Sequence, residues 1–110
     1  YFQAKIKILN GLGIDNLIID PGFGFGKTLE HNYEILNNLE KFERLKYPIL
    51  AGVSRKSMIS KLLDIDANQS LNGTSAINTL ALTKGADILR VHDVKEAVEC
   101  IKIVNFAKNI

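Results

Sequence analysis

The stretch L-I-I-D-P-G-F-G-F-G-K-T, residues Leu17 to Thr28, decides the fold, because it reads as a strand running into a functional loop. Leu17, Ile18 and Ile19 form an apolar run without alternation, the pattern of a strand buried on both faces of a parallel sheet. Asp20 closes the run, and a carboxylate at the end of a buried strand is costly unless it is paired, exposed or used. Pro21 stops the ladder. Gly22, Gly24 and Gly26 permit positive φ and a close ligand approach, Phe23 and Phe25 offer aromatic faces, and Lys27 adds a cation. Parallel α/β architectures place ligands beyond the carboxyl ends of their strands, where these residues fall. Gly26-Lys27-Thr28 resembles the end of a Walker A motif, but the glycine that opens that motif would have to stand where Pro21 does. The dinucleotide fingerprint fails too, since its third glycine would have to replace Lys27. Taken alone, the loop also fits an ordinary βα turn with incidental aromatics.

Working outward, 110 residues with 46% hydrophobic content suffice for one modest core and not for two. A net charge of +2 with 24% charged residues argues against a nucleic-acid or membrane-surface partner chosen by bulk charge. The single cysteine, Cys100, lies in an apolar helical pattern, which excludes a disulfide framework and a cysteine-rich zinc site and fits a reducing cytoplasm. No apolar run approaches the roughly 18 residues of a membrane span. The opening Tyr1-Phe2-Gln3 is neither an initiating methionine nor a signal peptide, so the chain reads as cut from something longer.

Before the strand, Phe2, Ile6, Leu9 and Leu12 recur at helical spacing, with Gly11 and Gly13 as stop signals. After the glycine loop, Ile35, Leu36, Leu39 and Phe42 predict a second amphipathic helix, and Ile49 to Val53 a second unalternating strand. Ser54-Arg55-Lys56-Ser57 then leads into Met58, Ile59, Leu62 and Leu63, which places the serines at a helix N-terminus suited to an anion. Asp64 to Asn72 reads as a polar loop. A helix opened by Gly73 and Thr74 carries Ala76, Ile77, Leu80 and Ala81 and ends at Gly85. Ile88, Leu89 and Val91 predict the third strand, and Asp93 with Glu96 a capping box for a last helix through Val94, Ala97, Val98, Ile101 and Val104. Strand, loop and helix alternate with no hairpin signal, so the sheet is parallel and all three strand ends share one rim.

Three rim segments, I-I-D-P-G-F-G-F-G-K-T (from Ile18), A-G-V-S-R-K-S (from Ala51) and L-R-V-H-D-V (from Leu89), resemble the last three strand-end motifs of the dihydropteroate synthase family. The resemblance implies a (β/α)8 TIM barrel, of which residues 1–110 would be the carboxyl-terminal part, one helix followed by the last three βα units. A full barrel takes about 250 residues. It further implies condensation of (7,8-dihydropterin-6-yl)methyl diphosphate with 4-aminobenzoate to 7,8-dihydropteroate and diphosphate, in cytoplasmic folate synthesis. By motif, Asp20, Gly52 and Lys56 would bind the pterin: the carboxylate would take two parallel N–H donors, and the glycine would leave room for the ring. Arg90 and His92 would grip the diphosphate, and Phe25 and Ser57 would bind the 4-aminobenzoate. Lys27, Arg55 and Asp93 would support these contacts, with His31 on the surface. Magnesium is implied with its ligand upstream of this chain, as are sulfonamide inhibitors, which imitate the arylamine, and a homodimer of the longer protein.

Each residue also has a plainer reading: an Asx turn for Asp20, a solvated helix-start lysine for Lys56, a simple cap for Ser57, a core aromatic for Phe25, and a structural histidine for His92. Two other functions compete with the synthase. A folate-dependent methyltransferase domain shares the pterin but needs no diphosphate grip, and a non-catalytic barrel module needs no intact rim. Arg90 with His92, and the Ser54-Arg55-Lys56-Ser57 run, weigh against both.

Overall fold

The chain alternates helices with short parallel strands, and a computed structural model describes it at residues 1–24 and 26–110. In order come α1 (Phe2–Gly11), α2 (Leu29–Asn37), β1 (Leu50–Ala51), α3 (Ser57–Leu63), α4 (Leu71–Thr83), β2 (Ile88–Leu89) and α5 (Val94–Lys108), with 3-10 turns at Leu39–Leu45 and Ala67–Gln69. β1 and β2 pair in parallel, Leu50 against Ile88 and Ala51 against Leu89. Ile19 adds a single parallel bridge to Ile49 on the other side of β1.

Alternation along these strands separates two faces. Ile49, Ala51 and Val53 point into the helical layer and form one core with Phe23, Leu36, Leu39, Met58, Ile59, Ile77, Ala81 and Ala86. Leu82, Cys100 and Val104 make a second cluster between α4 and α5. The residues alternating with them, Ile18, Leu50, Gly52 and Ile88, lie on the opposite face. The expected Leu17–Ile19 strand is therefore corrected: it is one bridge long, and Ile18, expected to be buried, is 55% exposed. A strand is buried on both faces only where both are covered, and among the described residues the helices pack on one side.

The predicted second helix stops early. At its end Asn38 donates both its backbone N–H, at 3.1 Å, and its side-chain amide, at 2.8 Å, to the Glu34 carbonyl, and the chain passes into the tighter turn at Leu39–Leu45. That turn closes on Lys46 at φ 63. The expected loop from Asp64 to Asn72 is shorter than predicted, with α4 beginning at Leu71. The expected glycine end of α4 holds, with Gly85 at φ +105 just past the Lys84 cap. α2 and α3 are joined by the Tyr33 hydroxyl, which donates to the Met58 carbonyl at 2.8 Å, and burial raises the pKa of that phenol.

Candidate functional site

The loop after Ile19 is built from positive φ angles, +76 at Gly22, +91 at Gly24 and +66 at Gly26, as the glycines require. Side chains hold its backbone at successive points. Gly22 N–H donates to Asp20 Oδ1 at 2.9 Å, the Gly22 carbonyl accepts from Lys27 Nζ at 2.7 Å, and the Phe23 carbonyl accepts from Lys56 Nζ at 2.7 Å. Gly24 N–H donates to Asn32 Oδ1 at 2.7 Å. The second carboxylate oxygen of Asp20 lies 3.8 Å from Arg90 Nη2.

The ends of β1 and β2 form the rest of the rim. Gly52, Ser54, Lys56, Arg90, Val91 and His92 enclose a cavity of about 170 Å3. A Cβ at Gly52 would stand 2.9 Å from Arg90 Nη2, so the guanidinium fills the space that glycine leaves. Ser54 Oγ is 2.8 Å from His92 Nδ1 and also accepts from His92 N–H at 3.2 Å, which ties the histidine to the end of β1. Arg55, at φ 56, gives its N–H to Thr74 Oγ1 at 3.2 Å and its guanidinium to Asp93 at 2.9 Å. Ser57 is exposed at the first turn of α3, where backbone N–H groups lack helical partners.

These contacts gather cations. The pKa of Lys56 is lowered, first by burial and then by the Arg90 charge, with Lys27 acting the same way and Asp20 opposing them. An ammonium beside a guanidinium, with one carboxylate close by, makes a rim that accepts a polyanion next to a flat hydrogen-bonding edge.

The family described as pterin binding enzyme matches residues 1–92. The chain belongs to this family. It is 48% identical over 106 residues to the dihydropteroate synthase of Escherichia coli strain K12, covering 94% of the chain and 38% of that protein. Among solved structures, the dihydropteroate synthase of Yersinia pestis superposes with a TM-score of 0.95 at 44% identity, over 99% of this chain and 52% of that one. The Coxiella burnetii enzyme in complex with pteroic acid gives 0.93 at 40% identity, over 98% and 41%. A further structure of the Yersinia enzyme is a sulfonamide drug complex, at 0.94 and 44%, over 98% and 40%.

Against this pterin-binding family, the structure brings Asp20, Gly52, Lys56, Arg90 and His92 to one rim, with Lys27, Arg55 and Asp93 in contact with its backbone or with each other. One expectation changes and two gain detail. Asp20 makes the Asx turn as well as facing Arg90, leaving one oxygen free of the turn. The Arg90 guanidinium lies over Gly52, in the space that a side chain there would take. Asp93 precedes α5 without capping it by its side chain, because its carboxylate is drawn to Arg55 instead. The expectation for Phe25 lies outside the described residues. His31 is exposed. Ser54 was read from sequence as a helix-start residue and Thr74 as a helix opener, and neither was read for the contact it makes; Asn32 was not singled out, and its signal is a polar residue one helical turn before Leu36 on the apolar stripe of α2. The carboxylates present do not fit a magnesium cage. Asp20 and Asp93 are already engaged, and no group of three or more metal-ligating side chains occurs among the described residues. No helix among them is long and apolar enough to cross a membrane.

Proposed function

We propose that the chain is the carboxyl-terminal part of a dihydropteroate synthase, the last three βα units of a (β/α)8 barrel, and that its rim binds the pterin diphosphate and 4-aminobenzoate. The observation that carries this reading is the convergence of Lys56, Arg90 and His92 around one cavity, with Asp20 from the neighbouring strand end 3.8 Å from Arg90. The pteroic acid and sulfonamide complexes of the Coxiella and Yersinia enzymes support it. Asp20 would take N–H donors of the pterin edge with its free oxygen, and Lys56 would donate to a pterin acceptor from the neighbouring strand end. Arg90 and His92 would hold the diphosphate, and Ser57 the arylamine carboxylate. Phe25 would pack on the arylamine ring.

In the proposed reaction the methylene C–O bond breaks and its electron pair leaves with the diphosphate. The arylamine nitrogen then forms the new C–N bond and gives up its proton. The protein supplies position and charge stabilisation rather than a covalent intermediate. Magnesium would neutralise diphosphate charge from a site formed outside these residues, and no step above depends on it. The longer protein would act as a cytoplasmic homodimer in folate synthesis and bind sulfonamides in the arylamine site.

The test is transfer of labelled 4-aminobenzoate into dihydropteroate by the full-length protein. Product formation that needs both substrates is expected, and none with either omitted. Methyl transfer from a methylated folate, without use of the diphosphate, would overturn the reading.

A further inference from the structure

We infer that Asn32 is a positioning residue of the pterin pocket, holding Gly24 from behind and, through Gly24, the stem of Lys56; this rests on the pterin-binding reading of the rim. Asn32 is 1% exposed. Its Oδ1 accepts from Gly24 N–H at 2.7 Å and its Nδ2 donates to the Thr28 carbonyl at 2.9 Å. The partners are of opposite kind, a donor and an acceptor, so one orientation of the amide serves both. A buried amide on the apolar stripe of a helix is costly unless both ends are paired, and here both are paired to the loop and its junction with α2.

Gly24 is where the loop meets the rim. Its carbonyl accepts from Lys27 N–H at 3.1 Å, closing a tight turn. A Cβ at Gly24 would lie 3.0 Å from Lys56 Cδ, so the lysine stem rests against this backbone while its Nζ holds the preceding carbonyl, that of Phe23. Releasing Gly24 therefore lets the Phe23 carbonyl and the Lys56 ammonium shift together. The pterin loses its partner although neither group has been mutated.

Two nearly isosteric substitutions separate this role from bulk packing. Asn32→Leu keeps the volume and removes both bonds. Asn32→Asp keeps an acceptor for Gly24 N–H; protonated, it also donates to Thr28 and restores both bonds, whereas ionised it sets a carboxylate oxygen against that carbonyl. Burial raises such a carboxyl above its usual value of about 3.9. The acid is therefore neutral below the raised value and ionised above it, and the defect grows as pH rises. The ionisable groups around it are Asp20 and Lys27 of the loop, Lys56 at the start of α3, and Tyr33, Glu30 and His31 on α2. All are present in the wild type, whose own pH profile is the control.

The experiment measures initial rates of the full-length protein and both variants at about pH 6 and about pH 8.5, with the pterin diphosphate varied. Asn32→Leu should raise the pterin KM roughly tenfold at both pH values and change kcat less. Asn32→Asp should show that increase at the higher pH and approach the wild type at the lower. An unchanged pterin KM in folded Asn32→Leu, or an Asn32→Asp that matches the wild type at both pH values, overturns the inference alone. If Asn32→Leu does not fold, the pH dependence of Asn32→Asp decides. A wild type that makes no dihydropteroate overturns the functional reading, and the inference with it.

Discussion

Arg90 lies over the bare backbone of Gly52, within ion-pair distance of Asp20, and the proposed site gives it the diphosphate. Only one of the two proposed substrates carries a diphosphate. Arg90→Ala in the full-length protein should therefore raise the KM for the pterin diphosphate far more than that for 4-aminobenzoate, by a lost charge-assisted contact of roughly 1.5 to 3 kcal/mol. Ser57→Ala should do the reverse and lose nearer about 1 kcal/mol, because the backbone N–H at the start of α3 survives. A pair of Michaelis constants for each variant checks both, and an inverted pattern would reassign the strand ends. Lys56 gives a pH prediction with a definite sign. Its pKa lies below the ordinary 10.5, so it loses its proton at lower pH than a free lysine, and pterin binding should weaken on an alkaline limb below that value. The Arg90 charge is one cause of the lowering, so Arg90→Ala should move the limb upward and Lys56→Arg should abolish it. The pH dependence of pterin KM in the three proteins measures this.

At the scale of elements, α4 packs on α3 through Gly73. A Cβ there would meet Ile59 Cγ2 at 2.5 Å and Leu63 Cδ1 at 3.0 Å, so the two helices approach through a gap only glycine leaves. Gly73→Val should destabilise the full-length protein by about 1–3 kcal/mol, read from chemical denaturation; an unchanged midpoint would mean the helices part freely. The helices of this layer were legible because Ile77 and Ala81, or Ala97, Cys100 and Val104, repeat at helical spacing and are buried, although Ala76, Leu80, Val94 and Val98, expected on the same stripes, are exposed. The strand ends were legible because a short apolar run followed at once by glycine or charge has few other readings. Hidden from sequence were the outcomes set by contacts distant along the chain. Asp93 forsakes its helix for Arg55, Ser54 meets His92, and Arg90 fills the space above Gly52. The end of α2 at Asn38, with the apolar repeat running on through Leu39 and Phe42, is also something helical periodicity does not register.

The molecule as a whole is a slab, 45 × 37 × 21 Å, with a radius of gyration of 14.8 Å against the about 13 Å of a compact chain this long. Its sheet is covered by helices on one face, while Ile18 on the other is exposed and Leu50 and Ile88 are half-buried. Two parallel strands and a bridge also leave backbone groups free at the edges. Residues 1–110 alone should therefore self-associate and should not turn over substrate; a monodisperse, cooperatively melting monomer by light scattering and calorimetry would contradict the first expectation, and full synthase rates the second. The proportions of the match agree, since the chain covers only 38% of the Escherichia coli protein. The central claim is that the rim joining Asp20 to Lys56 and Arg90 is a pterin diphosphate site, and calorimetric titration of the full-length protein with that compound tests it most directly. The account predicts saturable binding that Asp20→Asn weakens by roughly tenfold or more, since the amide loses the charge and, with its oxygen held by the Gly22 N–H, turns an NH2 group toward the pterin's donors where the carboxylate turned an oxygen. Binding of equal strength in wild type and Asp20→Asn, or none in the wild type, would contradict it.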